Sequence, residues 1–308
     1  LINNKGVSVV PVQYEAISEF KESGKAIAQK NGKMGLIDAS GHLVIECKYD
    51  FLNIIGEDLY YIRQNDHWNV INQREELILK DMVGKIDLLP NGYLSYNEIS
   101  GKGLAHRDKG IILPPVYQSF ELADSAYIIA KRSDVDMALF DTAGQQILAD
   151  GFETIRIEDH HIWGFRSGKW GAYNHQGKPI IQPAWTNYRA MNTNFAELID
   201  ENGVHHLYSF YRGKIIHSKM RFYQLFQKNY CKIHNFYDKV GLIDLEGTIV
   251  VKDSYLAVTN FGDQTFRIKN EEGIGIIDGK GTILQALTLD YIGPLDSHVA
   301  LARKDDKW

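Results

Sequence analysis

The chain has 308 residues, 44% hydrophobic and 24% charged, with a formal net charge of −5. That balance excludes a disordered polymer and gives no overall attraction for nucleic acid. No apolar run approaches the roughly 18 residues of a membrane-spanning helix. The sequence opens without a charged-then-apolar leader, and its first residues read as the middle of a structural unit. Only seven prolines occur, against 27 glycines and 17 tyrosines, a composition that favours short strands and many tight turns. The two cysteines, Cys47 and Cys231, sit in unlike contexts and read as separate packing residues.

Along the chain, one polar turn recurs: Asn3-Asn4-Lys5-Gly6, Asp38-Ala39-Ser40-Gly41, Asp141-Thr142-Ala143-Gly144, Asn174-His175-Gln176-Gly177, Asp244-Leu245-Glu246-Gly247 and Asp278-Gly279-Lys280-Gly281. Asp or Asn at the first position accepts backbone hydrogen bonds, and Gly at the fourth tolerates positive φ. Before the turn stands a bulky residue followed by Gly, as in Met34-Gly35, Trp170-Gly171, Val240-Gly241 and Ile274-Gly275. Trp68-Asn69 and Met137-Ala138 are degenerate copies, and Asn72-Gln73-Arg74-Glu75 lacks the turn glycine. After it come an apolar strand and an aromatic, at Tyr14, Tyr49, Tyr117, Phe152, Trp185, Tyr255 and Tyr291. Upstream runs such as 25–29, 59–62, 127–130 and 265–268 supply another strand, closed by Asn31-Gly32 or Ser167-Gly168 as a hairpin. The expected fold is all-β: about nine tandem antiparallel meanders of ~34 residues in one continuous domain over 1–308, each burying its faces only by stacking on neighbours.

Residues 33–41 and 169–177, with Pro114-Pro115-Val116-Tyr117 after another turn, resemble the WG (KWG) repeat of bacterial proteins. Only Trp170 is a full Trp-Gly, since Asn69 follows Trp68 and Trp308 is the last residue. The resemblance implies a bacterial, often envelope-associated repeat protein without shared catalytic residues. The two ends together make up one unit and carry no polar cap, which points to a propeller-like ring; an open superhelical array is the alternative.

No metalloprotease, nucleophile-elbow, phosphate-loop or dinucleotide motif occurs. The repeated aspartates are turn formers. The His160-His161 and His205-His206 pairs point to opposite faces of a strand, so neither forms a chelate by itself. No cofactor or metal is expected, and no enzymatic activity.

Two departures from the repeat carry the binding expectation. Trp163 and Phe165 crowd large rings into one unit, and off-pattern Trp163 is suited either to packing or to a sugar or protein partner. The span 211–239 holds seven cations and one acid, Asp238, interleaved with aromatics. Tyr211, Arg212, Lys214, Arg221, Tyr223 and Lys228 are its candidate contacts. The expected function is a non-enzymatic scaffold binding a protein or anionic glycan in the periplasm or at the cell surface, with no specific nucleic-acid ligand. The alternative is a ligand-binding or hydrolytic propeller whose site is built from loops of several repeats.

Overall fold

A computed structural model describes every residue except Leu1, Asn3, Asn4, Val7, Val9, Pro11, Val83, Asp263 and Ser297. The first predicted turn, which contains Asn3 and Asn4, therefore lies outside the described residues. The described residues form eight four-stranded sheets in sequence. Sheet 1 consists of Ala16–Ile17, Lys25–Lys30, Lys33–Asp38 and Leu43–Tyr49. Sheets 2 to 8 cover 51–79, 86–117, 119–152, 154–185, 187–220, 222–255 and 257–289. Each is an antiparallel meander with its strands in chain order. A strand pair, Tyr291–Ile292 with Ala302–Arg303, follows the eighth. The expected nine units are thus eight full meanders plus this shorter pair.

The chain divides into two compact units, 1–151 and 152–308. Within each unit the sheets are held by clusters that span consecutive meanders. Leu36, Ile45 and Tyr49 of sheet 1 pack with Leu52, Tyr60, Ile62 and Ile71 of sheet 2. In the second unit, Trp163, Trp170 and Ile181 of sheet 5 pack with Tyr188, Leu198 and Tyr208 of sheet 6. Residues such as Leu36 and Leu198, fully buried in such contacts, each contribute roughly 1.5–3 kcal/mol.

The predicted turns form as their chemistry requires. Asp38 Oδ1 accepts the N–H groups of Ser40 and His42 at 2.9 and 3.0 Å, and the Gly41 N–H bonds the Asp38 carbonyl at 3.0 Å. Asp141, Asn174, Asp244 and Asp278 repeat the same pattern. The turn glycine also lets the chain approach the preceding sheet: a Cβ at Gly144 would stand 2.6 Å from the Ile112 carbonyl oxygen of sheet 3. In sheet 2 Glu75 occupies this position at φ 60°. Its carboxylate reaches back to sheet 1 instead, accepting from the Tyr49 hydroxyl at 2.7 Å and pairing with Lys48 at 2.6 Å. The lost glycine is replaced by a contact between the same neighbours.

The Gly of the Trp-Gly pair has a different cause. In sheets 1, 3, 5, 7 and 8 the third strand faces a fourth strand carrying two extra residues, as in Met34↔Tyr49 followed by Leu36↔Ile45. The bulged backbone lies against the glycine: a Cβ at Gly35 would stand 2.6 Å from the Ile45 carbonyl oxygen and 2.7 Å from the Cys47 nitrogen. In sheet 6 the fourth strand has one extra residue between His205↔Met220 and Leu207↔His217, and His206 fits where the glycine would be. Sheet 2 behaves alike. Val70 pairs with Leu79, the Met82 N–H bonds the Trp68 carbonyl at 2.7 Å, and Asn69 between them accepts the Asp81 N–H at 3.0 Å.

Candidate binding surface on the seventh sheet

In every meander the first-to-second and third-to-fourth turns lie at one end of the sheet. The second-to-third hairpin and the link to the next sheet lie at the other. Tyr211, Arg212 and Lys214 surround the third-to-fourth turn of sheet 6, and Lys228 is in the first-to-second turn of sheet 7. These four share one end. Arg221, in the link into sheet 7, lies at the opposite end beside the hairpin at 235–239. The basic stretch is therefore divided between two ends, and much of its charge is paired. Arg212 bonds Glu246 at 3.1 Å, Lys239 bonds Glu271 at 3.3 Å, and Arg221 bonds Asp238.

Two sequence candidates are corrected by burial. Trp163 has 0% exposure and stacks on Tyr188 at 3.8 Å, so it holds sheets 5 and 6 together and presents nothing to a partner. Tyr223 is also fully buried, because its place in the first strand of sheet 7 faces the core shared with sheet 6. Burial pushes its phenol well above the usual range. Phe165 is half-buried against Trp170 at 5.0 Å. Tyr211, Arg212, Lys214, Arg221 and Lys228 are exposed.

The structure adds residues that the sequence reading passed over. Sheets 6, 7 and 8 each carry a second-to-third turn opened by Asp or Asn, within 200–204, 235–239 and 270–273. At the second position sheets 6 and 8 have Glu201 and Glu271. Each pairs with the lysine just before the Trp170 or Val240 position of the preceding sheet, Lys169–Glu201 at 3.6 Å and Lys239–Glu271 at 3.3 Å. Between sheets 6 and 7 both members change: Val204 takes the lysine position and Phe236 the glutamate position. Phe236 is 69% exposed and Tyr237 beside it 84%. Their turn is braced by hydrogen bonds of Asn235. Asn235 Oδ1 accepts from the N–H groups of Tyr237 and Lys239 at 2.9 and 3.0 Å, and its amide donates to the Asp253 carbonyl at 2.8 Å.

The junction beneath this hairpin is tied from inside. Glu197 occupies the second-strand position held by Ile27, Ile129 and Trp163 in other sheets, and it is buried. Its carboxylate accepts from Arg189 at 2.6 Å, lies 2.9 Å from His205 Nδ1, and accepts the Tyr223 N–H of sheet 7 at 3.0 Å. Arg189 in turn donates to the Tyr223 carbonyl. The signal in the sequence was an acid at an apolar repeat position, visible only once the second strands are aligned. Of the two histidine pairs, His205 faces Glu197, whereas His206 bonds Asp200 at 3.1 Å and Ser218 at 2.9 Å. No group of three or more metal-ligating side chains occurs among the described residues.

No curated protein matches the chain in sequence. Among solved structures it is similar to BamB from Moraxella catarrhalis, at 14% identity over 71% of this chain and 81% of that one, with a TM-score of 0.25. It is similar to Hsv2p of Kluyveromyces lactis at 10% identity, over 80% and 94% of the two chains, with a TM-score of 0.29. The computationally designed Ika8 protein gives 12% identity over 86% and 96%, with a TM-score of 0.26. The family described as WG containing repeat matches residues 1–33, 34–68, 170–197 and 274–308. The four-stranded meander continues through 69–169 and 198–273, where glycine slots such as Asn69 and His206 are altered. The WG containing repeat is thus detected in four segments of this all-β chain.

Proposed function

We propose that this protein is a non-enzymatic scaffold of the bacterial envelope that binds a protein partner through the hairpin of sheet 7. Of the two ligand classes expected from the sequence, protein and glycan, the hairpin favours protein. The observation that carries the reading is the coupled loss of the Lys–Glu pair, at Val204 and Phe236, with two adjacent aromatics exposed on a turn braced by Asn235. A solvent-facing Phe-Tyr pair contributes little to the fold. Rigid aromatics are, however, the side chains that dominate protein interfaces, because they bury large area with little loss of conformational freedom. Arg221, Lys239 and Asp238 rim the pair with charge, which suits a polar periphery around an apolar anchor. The envelope location rests on the family resemblance.

The test is affinity capture from fractionated cells with the wild-type chain and with Phe236→Ser/Tyr237→Ser. A discrete envelope protein retained by the wild type and lost with the variant supports the proposal. Equal retention by both, or recovery of the chain from the cytoplasmic fraction alone, counts against it.

A further inference from the structure

We propose that the open cleft beside Trp68 in sheet 2 is a binding site for an uncharged saccharide. It lies in the first unit and is independent of the hairpin of sheet 7. The cleft, about 410 Å³, is lined by Tyr61, Asp66, His67, Trp68, Asp81 and Met82. It exists because sheet 2 is built differently from its neighbours. Its fourth strand, Leu77–Leu79, has three residues where sheets 1 and 5 have seven. In those sheets the second residue of the third strand is paired across the sheet with an aromatic, Met34 with Tyr49 and Trp170 with Trp185. In sheet 2 the regular fourth strand ends at Leu79, the residue that bonds the Trp68 carbonyl is Met82 rather than an aromatic, and Trp68 stays half-exposed where Trp170 is buried.

The half-exposed indole is held by its neighbours. It stacks on Tyr61 at 4.9 Å with 18° between the rings, meets Phe51 edge-on at 5.3 Å, and carries the Arg63 guanidinium 5.5 Å from its centre. Polar groups converge on the same rim. His67 Nδ1 lies 2.5 Å from Asp81 Oδ1, Lys80 lies 3.8 Å from the other Asp81 oxygen, and Asp66 projects from the adjoining hairpin.

This combination selects a ligand class. A fixed aromatic wall accepts the C–H face of a sugar ring, while carboxylates and an imidazole exchange hydrogen bonds with vicinal hydroxyls. Asp66 and Asp81 are balanced by Arg63 and Lys80, so no excess charge of either sign draws a polyion. The cleft is open and half polar in character, unsuited to an acyl chain.

The experiment uses the intact chain on an array of neutral oligosaccharides of glucose, galactose, mannose and N-acetylglucosamine, printed beside uronic-acid and sulfated oligosaccharides. At least one neutral oligosaccharide should be retained, and Trp68→Ala and Asp81→Ala should each weaken it by roughly tenfold or more. Asp66→Asn, a turn-compatible change, covers the case in which Trp68→Ala does not fold and should also weaken retention. Tyr237→Ala should leave retention unchanged, separating this site from the proposed protein interface. Retention of no neutral oligosaccharide, retention of acidic ones only, or binding indifferent to all three cleft substitutions overturns the assignment.

Discussion

At the residue scale, two glycine slots that look alike in the repeat answer to different demands. Gly35 has ordinary φ, and what it avoids is contact with the bulged backbone at Ile45 and Cys47. Gly35→Ala must push that backbone aside and is expected to cost about 1–3 kcal/mol, measured as a lower urea midpoint at unchanged slope. The matching change at Ala138, to Gly, meets no such barrier and should cost only about 0.5–1 kcal/mol. The turn aspartates carry a pH dependence. Asp38, Asp200 and Asp278 are held below the usual carboxylate range, chiefly by backbone N–H groups of His42, Val204 and Thr282. A depressed folded-state pKa means the stabilisation is present above the unfolded value, about 3.9, and is lost as pH falls through the folded one. Stability should therefore drop below about pH 4. Asp38→Asn, which keeps the acceptor as Asn174 does, should shallow the drop. An acid limb unchanged in the triple Asn variant of Asp38, Asp200 and Asp278 would show that other groups cause it.

At the scale of the elements, stability belongs to junctions between sheets. Glu197 joins Arg189 and His205 of sheet 6 to the Tyr223 backbone of sheet 7. Removing one partner of a buried charged network leaves the others uncompensated, so Glu197→Ala should cost about 3–5 kcal/mol. Glu197→Gln keeps part of the hydrogen bonding and should cost less. Equilibrium unfolding of the two variants checks this, and near-wild-type stability for Glu197→Ala would remove the clasp from the account. The exposed Arg212–Glu246 pair should matter little by comparison, below about 1 kcal/mol.

The same scale shows what was legible in the sequence. Asp-x-x-Gly turns, Gly after a bulky residue and the trailing aromatic each follow from local backbone chemistry, so the meander could be read from them. The span 211–239 also stands out in the sequence, by its charge and its interleaved aromatics. Which of its residues face solvent was not legible. Trp163 and Tyr223 look like binding residues by type, but the adjacent meander covers each, and that packing does not show in the local pattern of the strand. Glu197 was passed over because its oddity shows only against Ile27 and Ile129 in register. Phe236 is one of several aromatics in the span 211–239, and only its equivalents Glu201 and Glu271 set it apart.

For the whole molecule, a chain of near-identical meanders leaves function to the places where the repeat is broken. First strands begin at Ala16, Phe51, Ile86, Ser119, Thr154, Asn187, Phe222 and Ala257, so units differ in length by no more than two residues. The breaks are substitutions at fixed positions, and they can be reversed. Restoring the regular pattern with Val204→Lys, Phe236→Glu and Tyr237→Asn tests the central claim most directly, in the intact chain. Binding to the captured partner and the urea midpoint are measured together. The midpoint should equal or exceed that of the wild type, since an ion pair replaces exposed aromatics, with partner binding lost by a hundredfold or more, on the order of the effect of two hot-spot residues. Full binding by the restored hairpin would show that the hairpin is not the binding surface, and loss of the fold on restoring it would show that these residues serve the fold instead.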